Sequence, residues 1–394
     1  MEGSRIPAES VAGMSSCVRS SGTFAIIAGG GTAGHVIPGI AIAKALQARG
    51  HQAASLHFVG AERGIEARLV PESGFDITLL PGRGIQRRLT LENLSAIWGI
   101  IRAVTQSIAL VRRRQPAVVL ALGGFASVAC AIAAVLWRVP LIIADQNARA
   151  GASNRLVARW AKACAVPFKE TDLPRAVITG NPVREEILRA GADRQKSAAQ
   201  SELGLPTDRT VIVVFAGSLG SRRLNEAVYG AVPLWSTRSD IAIHHVIGER
   251  DFADRPALQT KNLVYQSVRY EERMDLVLAA ADLAICRSGG TTVAELAVVG
   301  VASILVPLPI ATRDHQTANA QPLVKAGAAV LIADAEFDAD RLVVEVEGLM
   351  GLDTASCRLA AMGQAATQLG YPHAADAVAD LIEKYATRQE GTAQ

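Results

Sequence analysis

Residues 24–39 read Phe24-Ala25-Ile26-Ile27-Ala28-Gly29-Gly30-Gly31-Thr32-Ala33-Gly34-His35-Val36-Ile37-Pro38-Gly39. The apolar run Phe24–Ala28 has the length of a buried strand, and the glycine cluster that ends it opens into a helical pattern. Glycines let backbone N–H groups approach an anion at a helix N-terminus, and Pro38 is tolerated in the first turn. The cluster also matches G-x-G-x-x-G at Gly29, Gly31 and Gly34, the spacing of a dinucleotide loop. That alternative asks for an acidic residue closing the second strand, where Phe58-Val59-Gly60 stands and Glu62 lies slightly beyond. His35 adds a titratable imidazole, which either serves as a general base or packs locally.

The same unit recurs along the chain. Short apolar runs at Phe24–Ala28, Ser55–Val59, Ile77–Leu80, Val118–Leu122, Leu141–Ala144 and Val177–Thr179 alternate with helical patterns in the first half. Val211–Phe215, Ile241–Val246, Leu263–Tyr265, Leu283–Cys286, Ala302–Val306 and Ala329–Ile332 do so in the second. Repeated βα units predict an α/β protein with parallel sheets, and twelve runs suit two doubly wound domains better than one open sheet. The polar stretch from Glu185 to Arg209, closed by Pro206, separates the halves. We therefore expect a domain over 22–190, a linker over 191–209 and a second domain over 210–370. Ligands in such folds lie outside the carboxyl ends of the strands, so the cleft between two facing domains is the expected site.

Composition narrows the function. Of 394 residues, 50% are hydrophobic and 20% charged, which excludes a disordered chain. Forty Lys+Arg against 37 Asp+Glu leave a net charge of +3, and aromatics are 4%; neither favours nucleic-acid binding. Cys17, Cys130, Cys164, Cys286 and Cys357 are scattered without metal or disulfide spacing, as expected in a reducing cytosol. Residues 1–21 carry Glu2, Arg5, Glu9 and Arg19 and no apolar core, so they read as a disordered tail, with Met14 an alternative start. Pro116–Trp137 is uncharged and long enough to span a bilayer, yet Gly123-Gly124 and Pro140 divide it into strand, loop, helix and strand. Asp338-Ala339-Asp340 matches a bare D-x-D, but Asp338 is better read as a helix cap, and no metal or cofactor is expected.

Further strand ends carry polar or glycine-rich loops. Leu122-Gly123-Gly124-Phe125-Ala126-Ser127 repeats the close backbone approach. Asp145-Gln146-Asn147-Ala148-Arg149 offers donors and acceptors suited to sugar hydroxyls. Arg184, after Gly180-Asn181-Pro182-Val183, could reach a diphosphate. Ala216-Gly217-Ser218-Leu219-Gly220-Ser221-Arg222-Arg223-Leu224-Asn225 repeats the phosphate-loop logic, with Ser218 as a donor. In Cys286-Arg287-Ser288-Gly289-Gly290-Thr291-Thr292-Val293-Ala294-Glu295, a helix N-terminus and two threonines suit a phosphate. Glu295 suits two vicinal ribose hydroxyls or the helix dipole. Gln316 and Asn319, in Asp314-His315-Gln316-Thr317-Ala318-Asn319, could read a sugar.

In this order the motifs resemble the MurG family of peptidoglycan glycosyltransferases, from about Thr23 to about Ala386. The resemblance implies a GT-B fold, two Rossmann-like domains facing across a cleft. It also implies an inverting transfer of N-acetylglucosamine from UDP-N-acetylglucosamine to the 4-hydroxyl of lipid I, forming lipid II. His35 would be the base. Thr32, Ala33, Gly34, Asn147, Arg184, Ser218, Glu295 and Gln316 would contact the donor, with Gly290, Thr291, Thr292, Val293 and Ala294 at the helix start. Glu271 would offer backbone atoms to the uracil. The segment 371–394 would hold a helix crossing back to the N-terminal domain. The lipid acceptor implies a peripheral enzyme on the cytoplasmic face of the bacterial membrane. Its anionic surface would meet Arg83, Arg87, Arg88, Ile85, Leu89, Leu91, Leu94, Ile97, Trp98, Trp137 and Arg138. Three departures stand out: Ala33 replaces a usual Gly, Asp145 a usual Glu, and Leu219 a usual Gln. Other GT-B enzymes, such as a lipid glycosyltransferase or a UDP-sugar epimerase, share the donor loops. A nicotinamide oxidoreductase would follow from the glycine spacing alone.

Overall fold

The computed structural model describes residues 22–62, 64–81, 92–217, 219–350 and 355–386, without the side chains of 92–97 and 355–357. The tail 1–21, the basic and apolar residues from Arg83 to Leu91, the side chains of Leu94, Ile97 and Cys357, and Ser218 lie outside the described residues.

The first half runs β1 (Ala25–Gly29), α1 (Ala33–Ala48), β2 (Leu56–Ala61), α2 (Glu66–Glu72), β3 (Asp76–Leu80), α3 (Glu92–Arg114), β4 (Val118–Gly123), α4 (Phe125–Leu136), β5 (Leu141–Ala144), α5 (Ala152–Val157), β6 (Ala163–Val166) and β7 (Ala176–Ile178). Two helices follow, α6 (Glu185–Ala192) and α7 (Lys196–Glu202). The second half runs β8 (Thr210–Phe215), α8 (Arg222–Leu234), β9 (Ile241–Val246), β10 (Val264–Val268), α9 (Met274–Ala280), β11 (Leu283–Cys286), α10 (Gly290–Val299), β12 (Ala302–Leu305), α11 (His315–Lys325), β13 (Ala329–Leu331), α12 (Ala339–Met350), α13 (Ala355–Thr367) and α14 (Ala374–Tyr385).

The strands form a seven-stranded sheet, β3-β2-β1-β4-β5-β6-β7, and a six-stranded sheet, β10-β9-β8-β11-β12-β13. Every pairing is parallel. In both sheets the order reverses beside the first strand, which opens a crevice at the carboxyl ends of β1 and β4, and of β8 and β11. The central strands are buried on both faces, which explains why they read as unbroken Val, Ile, Leu and Ala runs. Pro116–Trp137 resolves into β4, a glycine loop and the twelve-residue α4, and no described helix is long and apolar enough to cross a membrane.

Residues 191–209, expected as a linker, contain the end of α6 and all of α7. Both helices pack against α9, and α6 also packs against α10. Ile187 and Leu205 are buried in the same core cluster as β8 and β11 residues. The last helix, α14, packs on α1 of the first half, where Val378, Ala379 and Ile382 join the core around β1. Arg49, at the end of α1, holds it there through Asp376, Asp380 and Glu383.

Candidate active site in the cleft

The first glycine loop is built around a buried carboxylate. Glu66, first residue of α2 and only 1% exposed, accepts the Gly31 N–H on both carboxylate oxygens at 3.1 Å and the Ala61 N–H at 2.8 Å. A Cβ on Gly30 would stand 1.9 Å from this carboxylate, so the loop must be glycine there. Beyond it Thr32 is the N-cap of α1, and His35 lies in the first turn. Ala33 is already helical, so a methyl group there meets no conformational penalty. The His35 Nδ1 lies 3.1 Å from the Gly30 carbonyl and 3.4 Å from the Thr32 hydroxyl. The carbonyl can only accept, so Nδ1 carries a proton, and in the neutral ring the lone pair is on Nε2.

The second glycine loop interlocks with the first. A Cβ on Gly123 would lie 2.8 Å from His35 Nε2, and one on Gly124 would lie 2.6 Å from the Gly30 oxygen. Both glycines have positive φ, 117° and 83°. The pair therefore leaves room for the imidazole beside β4.

Asp145 and Gln146 turn inward. The Asp145 carboxylate accepts from the N–H groups of Asn147 and Gly151 and from the Asn154 amide, and the Gln146 amide donates to the Ala144 carbonyl. The shorter acid thus fits as a loop brace. Asn147 meets the other domain: its Oδ1 accepts from Asn319 at 3.0 Å. Buried Asn319 also accepts the Ala148 N–H at 2.8 Å and donates to the Ser288 carbonyl. Gly290 opens α10 against this contact, since a Cβ there would strike the Gln146 carbonyl at 2.0 Å. Arg313 adds an ion pair to Asp172 at 2.7 Å; burial alone would raise that carboxyl, but Arg313 holds it below the ordinary range.

On the second domain, Glu295 lies in α10 and is nearly buried. Arg184 donates to its Oε1 through Nε at 3.2 Å and Nη2 at 3.1 Å. Burial raises the Glu295 carboxyl above its ordinary range, and Arg184 offsets only part of that. Thr291, Thr292, Val293 and Ala294 follow Gly290 in the first turn of α10; the N–H groups of Gly290, Thr291 and Thr292 lack intrahelical partners, while that of Val293 donates to the Gly289 carbonyl at 2.9 Å. Gln316 accepts the Leu308 N–H on Oε1, leaving its NH2 group as the donor. Glu271 accepts the Arg273 N–H ahead of α9, and its other oxygen lies 3.7 Å from buried His244. Leu219 is solvent-exposed.

Two charged residues of this region were not singled out from the sequence. Glu66 is one, although Gly60 and Gly64 on either side of the turn before it were a visible signal. Arg287 is the other. It donates to the Val306 and Pro307 carbonyls and the Ser221 hydroxyl, and pairs with Asp334 at 2.6 Å. That puts a mostly buried positive charge behind the β8–α8 loop. The cap on α12 follows the sequence reading, with Asp338 accepting the Arg341 N–H at 2.9 Å.

Comparison with known proteins agrees with this geometry. The family model described as Glycosyltransferase family 28 N-terminal domain matches residues 25–166, and the one for the C-terminal domain matches 211–382. A UDP-N-acetylglucosamine--N-acetylmuramyl-(pentapeptide) pyrophosphoryl-undecaprenol N-acetylglucosamine transferase of Desulforudis audaxviator is 38% identical over 373 residues, covering 92% of this chain and 98% of the relative. The enzyme of the same name from Nocardia farcinica is 38% identical, with 93% and 97% covered. The crystal structure of Acinetobacter baumannii MurG matches with a TM-score of 0.70 and 29% identity, over 92% of this chain and 99% of that one. A UDP-N-acetylglucosamine 2-epimerase from Listeria monocytogenes shares the fold at TM-score 0.66, but only 16% identity. Both halves of the glycosyltransferase signature in order, on two parallel sheets that face across a cleft, place this chain in glycosyltransferase family 28, among the MurG N-acetylglucosaminyltransferases.

Proposed function

We propose that the protein transfers N-acetylglucosamine from UDP-N-acetylglucosamine to the muramyl 4-hydroxyl of lipid I, with inversion at C1. The observation that carries this reading is His35, its Nδ1 bonded to the Gly30 carbonyl, on the loop that interlocks with the β4–α4 glycine turn. In that tautomer Nε2 takes the proton as the acceptor oxygen attacks C1 and the bond to the UDP oxygen breaks. Negative charge grows on the departing diphosphate. The first turn of α10, from Gly290 to Ala294, and the Arg184 guanidinium stabilise it. Thr32, Ala33 and Gly34 supply further N–H groups at the start of α1. Glu295 binds the ribose hydroxyls through Oε2 while Oε1 stays with Arg184. Glu271 lends its backbone to the uracil, and Asn147 and Gln316 meet the sugar.

The acceptor's lipid calls for a membrane surface, and α3 offers one. Trp98 is 70% exposed, with Ile101 and Arg102 beside it one turn on. At the far end Arg112 lies over the ring of Trp137, next to exposed Leu136. Apolar side chains insert shallowly and arginines attract anionic headgroups. The protein therefore binds peripherally at the membrane face where lipid I is exposed.

UDP release from UDP-N-acetylglucosamine, with and without a short-chain lipid I analogue and in EDTA, tests the reaction. Release that requires the acceptor and survives EDTA supports it; epimerisation without acceptor, or hydride transfer from NADH, overturns it. His35→Ala should lose about 100-fold or more in kcat, whereas a loss of only a few-fold removes His35 as the base.

A further inference from the structure

Glu66 and His35 grip the two ends of one peptide bond. The N–H of Gly31 is held by the Glu66 carboxylate at 3.1 Å, and the carbonyl of Gly30, the other half of that planar unit, lies 3.1 Å from His35 Nδ1. Glu66 is thus linked to the imidazole through a single rigid amide. The carboxylate has been given a dedicated cradle. Gly30, from the β1–α1 loop, and Gly60 and Gly64, from the end of β2 and the turn into α2, approach so closely that a Cβ on any of them would come within 1.9, 2.3 and 2.0 Å of the Glu66 side chain. Among the described residues no Lys, Arg or His stands within ion-pair distance of it. A buried carboxylate without a cation is costly and is usually replaced by an amide or an apolar residue unless its charge has a use.

We propose that Glu66 is the positioning residue of His35, acting through the Gly30–Gly31 peptide. A negative charge bonded to the Gly31 N–H polarises the amide and makes the Gly30 oxygen a stronger acceptor. That oxygen fixes the proton of His35 on Nδ1, presents Nε2 to the acceptor hydroxyl, and stabilises the imidazolium that forms when Nε2 takes the proton. The logic is that of a carboxylate orienting a histidine in a triad, with a peptide group interposed. The inference rests on the reading of His35 as the base.

The test compares Glu66→Gln, Glu66→Asp, His35→Ala and the His35→Ala/Glu66→Gln double variant, using UDP-N-acetylglucosamine and a short-chain lipid I analogue. Gln keeps the volume but loses the charge and presents an NH2 group to one of the two N–H donors. Glu66→Gln should lose about 10- to 100-fold in kcat, the range of lost orienting partners, with the donor KM within about twofold. Glu66→Asp, which keeps the charge, should recover part of the loss. The double variant should be no slower than His35→Ala, because Glu66 acts only through the imidazole. Ring nitrogen NMR, assigned by comparison with His35→Ala, reads the tautomer without turnover. Nδ1–H should dominate in the wild type and be less populated in Glu66→Gln, or in Glu66→Asp should the former not fold. Wild-type kcat and an unchanged His35 tautomer in a folded Glu66 variant overturn the proposal. So does a double variant slower than His35→Ala by the full Glu66→Gln factor. If His35→Ala itself loses only a few-fold, it is the base assignment that fails.

Discussion

The two domains repeat one plan and put opposite charges into it. Each sheet runs outward in the same order from a first strand, β1 or β8, and each first strand ends in a glycine loop that opens a helix. Behind the β1 loop lies an anion, Glu66, bonded to the Gly31 N–H. Behind the β8 loop lies a cation, Arg287, bonded to the Ser221 hydroxyl at the start of α8. A buried carboxylate repels a phosphate and supports an imidazolium; a buried guanidinium does the reverse. Topology therefore supplies two equivalent crevices, and on the proposed reading the buried charge distinguishes the one that suits the base from the one that suits the leaving diphosphate.

Removing the cation should produce the largest effect. Arg287→Met keeps the length of the chain but leaves Asp334 facing Arg223 alone, with Nε 4.0 Å away. Breaking a largely buried pair costs about 3–5 kcal/mol, so thermal unfolding of the second domain should shift down sharply. Isothermal titration should also show UDP bound at least tenfold more weakly. A variant with wild-type stability and UDP affinity would make the charge contrast between the loops incidental.

Glu295→Gln sharpens the contrast on the second domain alone. The amide loses the charge-assisted bonds expected with the ribose diol, worth about 1.5–3 kcal/mol, so the donor KM should rise at least tenfold. Stability of the free enzyme should go the other way. The native Glu295 carboxyl is raised above its unfolded value, so the folded state binds more protons in that window and stability falls as pH rises through it. Glu295→Gln should therefore flatten the pH dependence of stability just above the ordinary carboxylate range without lowering stability at neutral pH. A lower melting temperature at pH 7 would instead make Glu295 a structural brace for Arg184.

Much of this plan was legible in the sequence because buried parallel strands advertise themselves as apolar runs. Among the described residues, twelve of the thirteen strands fall on such runs. The missing one, β6, reads Ala163-Cys164-Ala165-Val166, whose small side chains fit the crowded space between β5 and β7 but carry little β-branched signal. The polar segment after Glu185 misled for a related reason. Helices α6 and α7 bury only a few positions, such as Ile187 and Ala199, and leave the rest wet, so their composition resembles a linker. Loop glycines identified the crevices, but not what lies behind them. Asp145 and Glu66 are acids near strand ends, as a ligand-binding acid would be, and only the fold shows their oxygens taken by loop N–H groups. Asn319 reads as a sugar ligand in one dimension and as a clamp between domains in three.

The smallest effect concerns the second strand of each sheet, where the comparison is one of likeness. β2 buries His57, which is 3% exposed, and β9 buries His245 completely. Burial pushes His57 down to about 4, helped by repulsion from Arg114 and opposed by Asp76. Burial and the neighbouring His244 push His245 down to about 3. Each is neutral in the native state, while the unfolded chain takes up its proton near the ordinary histidine value. Between those values the unfolded state binds more protons, so stability is complete above about pH 6.5 and is lost as pH falls towards the native value. For His57 the full span is worth roughly 3 kcal/mol, and about 2 kcal/mol of it should be gone by pH 5. His57→Gln keeps a partner for the Thr78 hydroxyl, which His57 Nε2 meets at 2.7 Å, and cannot titrate. Amide exchange in β2, corrected for intrinsic rates, should therefore weaken less between pH 7 and pH 5 in His57→Gln than in the wild type. Exchange in β9 should keep its wild-type pH dependence. Equal weakening of β2 in both proteins would place the acid sensitivity of the first domain in its carboxylates instead.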